Sequence, residues 1–257
     1  MGILNVTPDS FSDGNAYKSL DAAVLKAINL KNQGADIIDI GGESTKPGAE
    51  PVSADVEQQR VLPVIEALAS VQDIIISIDT YRHSTAKLAI EAGAHIVNDV
   101  WGCQKEPEIA GLVARTGAGL CAMHNGRDRQ RDADVIEDQK QFLGKSLETI
   151  KQAGVHDAQI VLDPGFGFGK SAEDNIELLG RFEELHSMGY PLLVGTSRKR
   201  FIGHYTDRDV DDRDIGTAAT SVVARMKGGA VFRVHDVPAN KDALAIADAL
   251  RLGRGIQ

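Results

Sequence analysis

At 257 residues, the chain is long enough to bury a large core, and its length fits one α/β domain better than two ordinary domains. Hydrophobic residues make up 42% and charged residues 25%, which is typical of globular proteins and excludes disordered and collagen-like chains. The net charge of −9 argues against a general nucleic-acid or anionic-membrane surface, because both need a broad positive field.

Eight short apolar runs rich in Val and Ile alternate with longer segments of helical spacing. The predicted strands, in chain order, are 2–6, 37–40, 74–78, 95–97, 119–123, 159–162, 192–194 and 230–234. Alternating strands and helices indicate a parallel sheet covered by helices, and eight such units in about 250 residues favour a closed TIM (β/α)8 barrel over an open sheet. No linker divides the chain, so we expect a single α/β barrel domain over residues 1–257.

The sequence shows no targeting or redox signature. Its apolar runs are far shorter than the roughly 20 residues that cross a membrane, and Met1 leads into the first run without a basic segment. Cys103 and Cys121 lack the spacing of a zinc site or a disulfide framework. We therefore expect a cytoplasmic protein with two buried cysteines.

Polar side chains stand at the carboxyl end of nearly every predicted strand, where the active sites of such barrels form. They are Asn5, Asp39 with Glu43, Asp79, Asn98 with Asp99, Met123 with His124, Asp163, residues 197–199, and Arg233 with His235. Because side chains alternate along a strand, Arg233 and His235 share one face, as do Ser77 and Asp79. Each pair can point into the mouth of the barrel.

Two carboxylates end otherwise apolar strands. At Asp79 and Asp163, an unpaired buried charge costs roughly several kcal/mol or is neutralised, so a polar group must meet each carboxylate. A lone aspartate of this kind more often makes a structural hydrogen bond to a loop. Two of them with Asn98 at one mouth favour a site for a heterocycle rich in N–H donors.

The glycine-rich segment 163–171 resembles a phosphate-binding P-loop in composition only. A P-loop needs glycine five residues before its Gly-Lys pair, and Pro164 occupies that position. The pattern of Gly167 and Gly169 follows the sixth strand rather than the first, which argues against dinucleotide binding. The glycines predict either a close approach of the backbone to a flat ligand or a plain flexible turn.

Cationic residues follow the seventh and eighth strands, where phosphate sites of these barrels are frequently built. The fork of Arg233, with His235 on the same strand face, suits phosphate oxygens, whereas Arg200 is typical of a solvated surface. Asn5 taken alone is typical of a turn. Its amide oxygen would suit a Mg²⁺ ion that a substrate phosphate brings to the site.

Together these motifs resemble the dihydropteroate synthase family of the folate pathway. The resemblance covers essentially the whole chain, through residues 1–14, 41–51, 78–80, 98–100, 163–170, 197–203 and 233–237. It implies condensation of 6-hydroxymethyl-7,8-dihydropterin pyrophosphate with 4-aminobenzoate to give 7,8-dihydropteroate and pyrophosphate. It also implies Mg²⁺ as cofactor and a homodimer, with small-molecule substrates as partners and neither nucleic acid nor membrane.

Carried over by position, the resemblance implies the site residues. Asp79, Asn98 and Asp163 would hold the donor edge of the pterin, and Lys199 its carbonyl side. Arg233 would stack on the ring and, with His235 and Asn5, bind the pyrophosphate, while Asn5 would also touch Mg²⁺. The aminobenzoate pocket and its surroundings would be formed by Phe11, Thr45, Pro47, Phe168 and Ser197, with Met123 as a further substrate contact. The implied catalytic residues are Asp163, Lys199, Arg233 and His235.

The implied reaction explains why no Ser/His/Asp triad is visible. The pterin ring can delocalise the cation left by C–O cleavage, so the protein mainly stabilises the leaving pyrophosphate and excludes water. Two alternatives remain: a pterin-binding methyltransferase of the same superfamily, and a catalytically silent homologue that binds a pterin or a partner protein. The Arg233 and His235 pair argues against the first, and the long loops that contain residues 5–14 and 41–51 argue against the second.

Overall fold

Parallel strands alternate with helices in the computed structural model, which describes residues 1–7, 16–44, 48–251 and 253. The strands are β1 (Gly2–Asn5), β2 (Ile37–Gly41), β3 (Ile75–Asp79), β4 (Ile96–Asp99), β5 (Gly119–Met123), β6 (Ile160–Asp163), β7 (Leu193–Val194) and β8 (Val231–Phe232). The helices are α1 (Ala16–Asn32), α2 (Ala54–Ala69), α3 (His83–Glu91), α4 (Glu108–Thr116), α5 (Val135–Gln152), α6 (Ala172–Gly180), α7 (Arg200–Thr206), α8 (Asp214–Met226) and α9 (Val237–Arg251). Phe11, Thr45 and Pro47 lie outside the described residues.

Backbone hydrogen bonds connect the strands into a ring. Strands β1 to β6 form one parallel sheet in chain order, and β7 pairs with β8. Single parallel bridges join Leu162 to Leu192 on one side and Gly2 to Val234 on the other. The order therefore runs from β1 to β8 and back to β1, which is the (β/α)8 barrel that the sequence predicts.

Strand alternation separates an apolar layer from a polar interior. Ile38 and Ile40 of β2 belong to the main core together with Leu68 of α2. Asp39 lies between the two isoleucines and so projects to the opposite face, where it accepts a hydrogen bond from Ser77 of β3. The alternation of side chains that packs apolar residues against the helices thus directs polar side chains into the barrel.

Side-chain caps begin two helices that follow loops at the carboxyl end of the barrel. Asp134 accepts hydrogen bonds from the backbone N–H groups of Ile136 and Glu137 at the start of α5. Ser171 and Asp174 cap α6 reciprocally, each accepting from the backbone of the other. These caps define where the loops end and helical backbone begins.

The described residues include no helix long and apolar enough to cross a membrane. Cys103 and Cys121 are both free and buried, as the sequence predicts. Burial raises the pKa of each thiol above its ordinary value, so both remain uncharged.

A matched pair of leucines tests the assigned core. Leu68 is fully buried, whereas Leu25 on α1 is 59% exposed. We expect Leu68→Ala to lower the free energy of unfolding by about 2–5 kcal/mol, because it removes buried contacts and leaves a cavity. Leu25→Ala should change that free energy by no more than about 0.5 kcal/mol. Urea denaturation measures both, and equal losses would contradict the assignment.

Candidate active site

A cavity opens at the carboxyl ends of the strands and contains about 330 Å³ of empty space, its mouth included. Most of the predicted substrate-binding residues line it, namely Asp79, Asn98, Met123, Asp163, Phe168, Lys199 and Arg233. Val100, Gly165, Phe166 and Gly195 complete the lining. Charged groups from distant parts of the chain converge on this cavity, as they do in small-molecule sites.

Arg233 is held between two carboxylates. Its Nε donates to Asp39 Oδ2 at 2.6 Å, and its Nη2 donates to Asp79 Oδ2 at 2.7 Å. Asp39 also accepts from the Ser77 hydroxyl at 2.6 Å and from the Asn98 amide at 3.1 Å. Burial opposes the charge of Arg233, but Asp39 and Asp79 outweigh it and raise the pKa of the guanidinium. The cation is therefore held in a site that would otherwise disfavour it.

Asp39 has a larger role than the sequence predicts. The sequence indicates a polar residue at a strand end and no part in the site, yet Asp39 is fully buried and accepts from Ser77 of β3, Asn98 of β4 and Arg233 just after β8. The signal that could have found it is a carboxylate alternating with the isoleucines of 37–41, since that spacing turns it toward the barrel interior.

The cavity presents hydrogen-bond acceptors. Asn98 Oδ1 is buried and has no hydrogen-bond partner among the described residues. Asp163 Oδ1 accepts from the Gly165 backbone N–H at 2.7 Å. Burial raises the pKa of Asp163 to about 6 and that of Asp79 to about 7, although nearby donors and cations oppose the shift. An unpaired buried acceptor costs about 1–3 kcal/mol, so a ligand that brings N–H donors would be stabilised here.

Lys199 supplies a donor beside these acceptors. Its Nζ lies 4.3 Å from the centroid of the Phe168 ring, within the range of a cation–π contact. Burial, followed by repulsion from Arg233, lowers the pKa of Lys199 to about 8. The neighbouring cations point elsewhere, because Arg198 binds Asp214 at 2.7 Å and Arg200 is exposed. The cluster of cations at 197–200 thus contributes one ammonium to the cavity.

Ser197 and His235 form a pair next to Arg233. The backbone N–H of His235 donates to Ser197 Oγ at 3.0 Å, and Oγ lies 2.9 Å from His235 Nδ1. Burial and then the charge of Arg233 lower the pKa of His235 to about 3, so the ring is neutral. With the Ser197 hydroxyl donating to Nδ1, the ring proton lies on Nε2, which can donate to an anion.

Asn5 ends β1 next to the same mouth. It pairs in register with Gly41, which pairs in turn with Asp79. A Cβ at Gly41 would lie 3.8 Å from Asn5 Oδ1 and 3.5 Å from Asp79 Oδ2, so both side chains border this glycine. No three His, Cys, Asp or Glu side chains gather to hold a metal in the part of the chain that the structure describes.

The glycines after β6 serve contact between two loops. Gly165 has φ +62° and Gly169 has φ +64°, in the left-handed region that favours glycine. A Cβ at Gly165 would collide with the carbonyl oxygen of His124, and one at Gly169 with the backbone of Gly126. Of the two, Gly165 also lines the cavity. Close approach between the two loops therefore requires these glycines, and approach of the backbone to a flat ligand stays a prediction.

The chain matches a known protein family over most of its length. Residues 1–235 match the model of the pterin binding enzyme family. The dihydropteroate synthase of Clostridium beijerinckii is 46% identical over 251 residues, covering 97% of this chain and 93% of the relative. The chain belongs to the dihydropteroate synthase family. As a member of that family it is an enzyme of the transferase class, as the sequence predicts.

Solved structures of the dihydropteroate synthase family share this fold. The dihydropteroate synthase of Clostridium difficile, determined in the presence of pteroic acid, has a TM-score of 0.94 at 48% identity, covering 97% of this chain and 95% of that one. The dihydropteroate synthase of Xanthomonas albilineans, with 4-aminobenzoic acid, has a TM-score of 0.93 at 40% identity, covering 98% and 92%. The predicted family and the predicted barrel are both confirmed.

The raised pKa of Asp163 predicts a pH dependence of stability. Because the folded protein holds this proton up to about pH 6 and an ordinary aspartate loses it near 3.8, the free energy of unfolding falls as pH rises through that interval. We expect Asp163→Asn to reduce this fall in the free energy of unfolding by about 3 kcal/mol. The substitution removes the titrating charge and keeps an oxygen that accepts from the Gly165 N–H. Denaturant titrations at pH 4 to 7 measure this. If Asp163→Asn had the same pH dependence of unfolding free energy as the wild type, the prediction would be wrong. Asp242→Asn, at an exposed position, is the control.

Proposed function

We propose that the cavity binds the pterin of 6-hydroxymethyl-7,8-dihydropterin pyrophosphate, which the chain condenses with 4-aminobenzoate to form 7,8-dihydropteroate and pyrophosphate. The observation that carries this assignment is the set of acceptors at Asn98 Oδ1 and Asp163 next to the donor Lys199. A pterin presents N–H donors along one edge and a carbonyl oxygen beside them. Solved relatives were determined in the presence of pteroic acid and with 4-aminobenzoic acid, which supports the same pairing of ligands here.

Asp163 and Asn98 accept from the pterin, and Lys199 donates to its carbonyl oxygen. Satisfying Asn98 Oδ1 removes the penalty of a buried acceptor without a partner. A carboxylate that accepts from N–H groups of the ring also favours the electron-rich form of the pterin, from which the C–O bond ionises. Phe168 and Met123 line the remaining wall of the cavity and reduce the water that reaches the bond.

The leaving pyrophosphate is bound at the edge of the cavity by Arg233, His235 and Asn5. Among the described residues, Asp39 and Asp79 hold Nε and Nη2 of Arg233, which leaves Nη1 for a phosphate oxygen. The neutral ring of His235 donates through Nε2, with Ser197 orienting it. Donors already placed where negative charge develops stabilise the transition state more than the substrate.

A magnesium ion fits this donor set when the pyrophosphate brings it. Mg²⁺ is commonly bound by one or two protein oxygens together with substrate phosphates and water, and Asn5 Oδ1 is such an oxygen at the mouth. The ion would supply positive charge to the leaving group. The amine of 4-aminobenzoate, nucleophilic in its neutral form, then attacks the ionised carbon, with Phe168 and Ser197 beside its path.

Two substitutions test the pterin assignment. We expect Lys199→Ala and Asp163→Asn each to lower kcat/KM for dihydropteroate formation by about 100-fold or more, because each removes a polar contact made in the transition state. Lys87→Ala on α3, where the side chain is 55% exposed, is the control and should leave the rate unchanged. Near-normal rates in both site variants would contradict the assignment.

Pyrophosphate release separates the proposed reaction from its alternatives. Mixing the two substrates with Mg²⁺ should release one pyrophosphate for each dihydropteroate formed. A pterin-binding methyltransferase would release none, and a catalytically silent homologue would bind the pterin without turnover. The Arg233 and His235 pair favours the synthase, since a methyl transfer leaves no pyrophosphate to bind.

We propose in addition that the chain forms a homodimer through α8 and α9, which pack side by side. Five large apolar side chains on these helices are exposed: Ile215 (86%), Val223 (41%), Met226 (48%), Ile246 (65%) and Leu250 (65%). Apolar residues gathered on an exterior surface are typical of protein–protein interfaces. The proposal rests on these residues and on the family resemblance.

Charged substitutions test the dimer. We expect sedimentation equilibrium to give twice the chain mass of 27.5 kDa for the wild type. Ile246→Glu combined with Leu250→Glu should shift the mass to that of the monomer, because a desolvated carboxylate opposes association. Leu25→Glu on α1 is equally exposed and serves as the control. A monomeric wild type would overturn this proposal and leave the pterin site untouched.

A further inference from the structure

Lys170, in the glycine-rich segment 163–171, does not line the cavity and has no part in the proposed reaction. Its Nζ lies 2.9 Å from the Gly165 carbonyl oxygen, 2.8 Å from His124 Nδ1 and 3.5 Å from the Phe168 carbonyl oxygen. An ammonium group has three N–H donors, and three acceptors surround it here. The lysine side chain thus turns back onto its own loop rather than toward a ligand.

The contact with His124 continues into α5. With the Lys170 ammonium donating to Nδ1 of His124, the ring proton lies on Nε2, which is 2.8 Å from Asp138 Oδ2 and 2.7 Å from Arg129 Nη2. Burial lowers the pKa of His124 to about 3, so the ring is neutral and suited to accept on one side and donate on the other. Asp138 also accepts from Arg129 at 2.7 Å. We call Lys170, His124 and Asp138 the buried polar chain.

The two carbonyl groups that Lys170 binds belong to residues that line the cavity. Gly165 and Phe168 both form its wall, and the N–H of Gly165 donates to Asp163 Oδ1. Phe168 carries the ring that Lys199 approaches. The position of the loop backbone therefore determines where Asp163 and Lys199 meet a ligand.

We propose that Lys170 is a positioning residue for the pterin site: its ammonium group, anchored through His124 to Asp138, holds the backbone of residues 165–168 in the geometry that orients Asp163 and Phe168. Lys170 makes no contact with substrate in this account. The inference rests on the proposed function, because it assigns the oriented groups to the pterin. It predicts that the loss of the ammonium group weakens pterin binding more than it weakens the fold.

The charge state of Lys170 adds a pH dependence. Burial lowers its pKa to about 7, although Asp163 and Asp138 oppose the shift. Above that pH, the amine has two N–H groups for three acceptors, so the loop is held less firmly. The titratable and charged groups around Lys170 are His124 after β5, Arg129 and Arg131 in the following loop, Asp138 on α5 and Asp163 on β6.

Calorimetric titration with pteroic acid tests the inference. We expect Lys170→Met to bind pteroic acid at least about tenfold more weakly than the wild type. The control is Arg225→Met, which likewise removes a partly buried cation that donates to a backbone carbonyl. Arg225 binds the carboxylate of Asp248 and the carbonyl of Gly229, before β8 at the other end of the barrel. Both variants should lower the melting temperature, and only Lys170→Met should lower the affinity.

A second variant keeps the test valid where Lys170→Met fails to fold. Asp138→Asn retains the lysine and nearly the same side-chain shape but removes a negative charge that favours the ammonium. We expect the alkaline fall in pteroic acid affinity to move to lower pH by at least about half a unit, a shift that a merely structural role would not produce. Ligand ionisation is identical in both proteins, so it cancels in the comparison.

The outcomes separate this inference from the proposed function. Affinity of Lys170→Met within twofold of the wild type, or an unmoved pH midpoint in Asp138→Asn, overturns the positioning role while the pterin site stands. A wild type that does not bind pteroic acid overturns both. Weaker binding in Lys170→Met with intact binding in Arg225→Met supports the inference.

Discussion

The contact between Arg233 and the carboxylates of Asp39 and Asp79 is the constraint on which the site depends. Both carboxylates are buried and the guanidinium is largely shielded from water, so each charge alone would be costly and the three groups stabilise one another. Arg233 extends from the end of β8, Asp39 lies in β2 and Asp79 ends β3. Arg233 reaches the two aspartates only because the bridge between Gly2 and Val234 brings β8 beside β1, so closure of the barrel and assembly of the anion site are one event.

Local pattern was enough to predict the architecture. Runs of β-branched residues located all eight strands to within one or two residues, and alternation along β3 correctly placed Ser77 and Asp79 on one face, since both meet polar groups of the interior. The seventh and eighth strands are shorter than predicted, because regular pairing holds only Leu193–Val194 against Val231–Phe232 and single bridges take over at the flanks. Strand position is a property of nearby residues, whereas strand length depends on neighbours far along the chain.

The parts of the site that escaped prediction depend on partners distant in sequence. Asp39 meets Arg233 across 194 positions, and Lys170 meets His124 across 46. Sequence spacing can predict which face of a strand carries a residue, but it does not predict which distant residue the side chain contacts. The cations after β7 show that residues adjacent in sequence can have different surroundings. Arg198 adopts φ +56° and binds Asp214, whereas the adjacent Lys199 lines the cavity. Neighbours in sequence are thus separated by backbone conformation that composition does not reveal.

The interaction of Arg233 with both Asp79 and the pyrophosphate relates the barrel architecture to the proposed reaction. A pyrophosphate that binds the guanidinium through Nη1 shares its positive charge with Asp79, and a buried carboxylate whose cation is shared is less well stabilised. Burial raises the pKa of Asp79 to about 7, so near neutral pH this group can take up a proton instead of remaining an unpaired charge. Asp39, which keeps Ser77 and Asn98 as donors, retains its hydrogen bonds throughout. Departure of the pyrophosphate then returns the full positive charge of Arg233 to Asp79 and Asp39, and that stronger interaction favours release of the product anion.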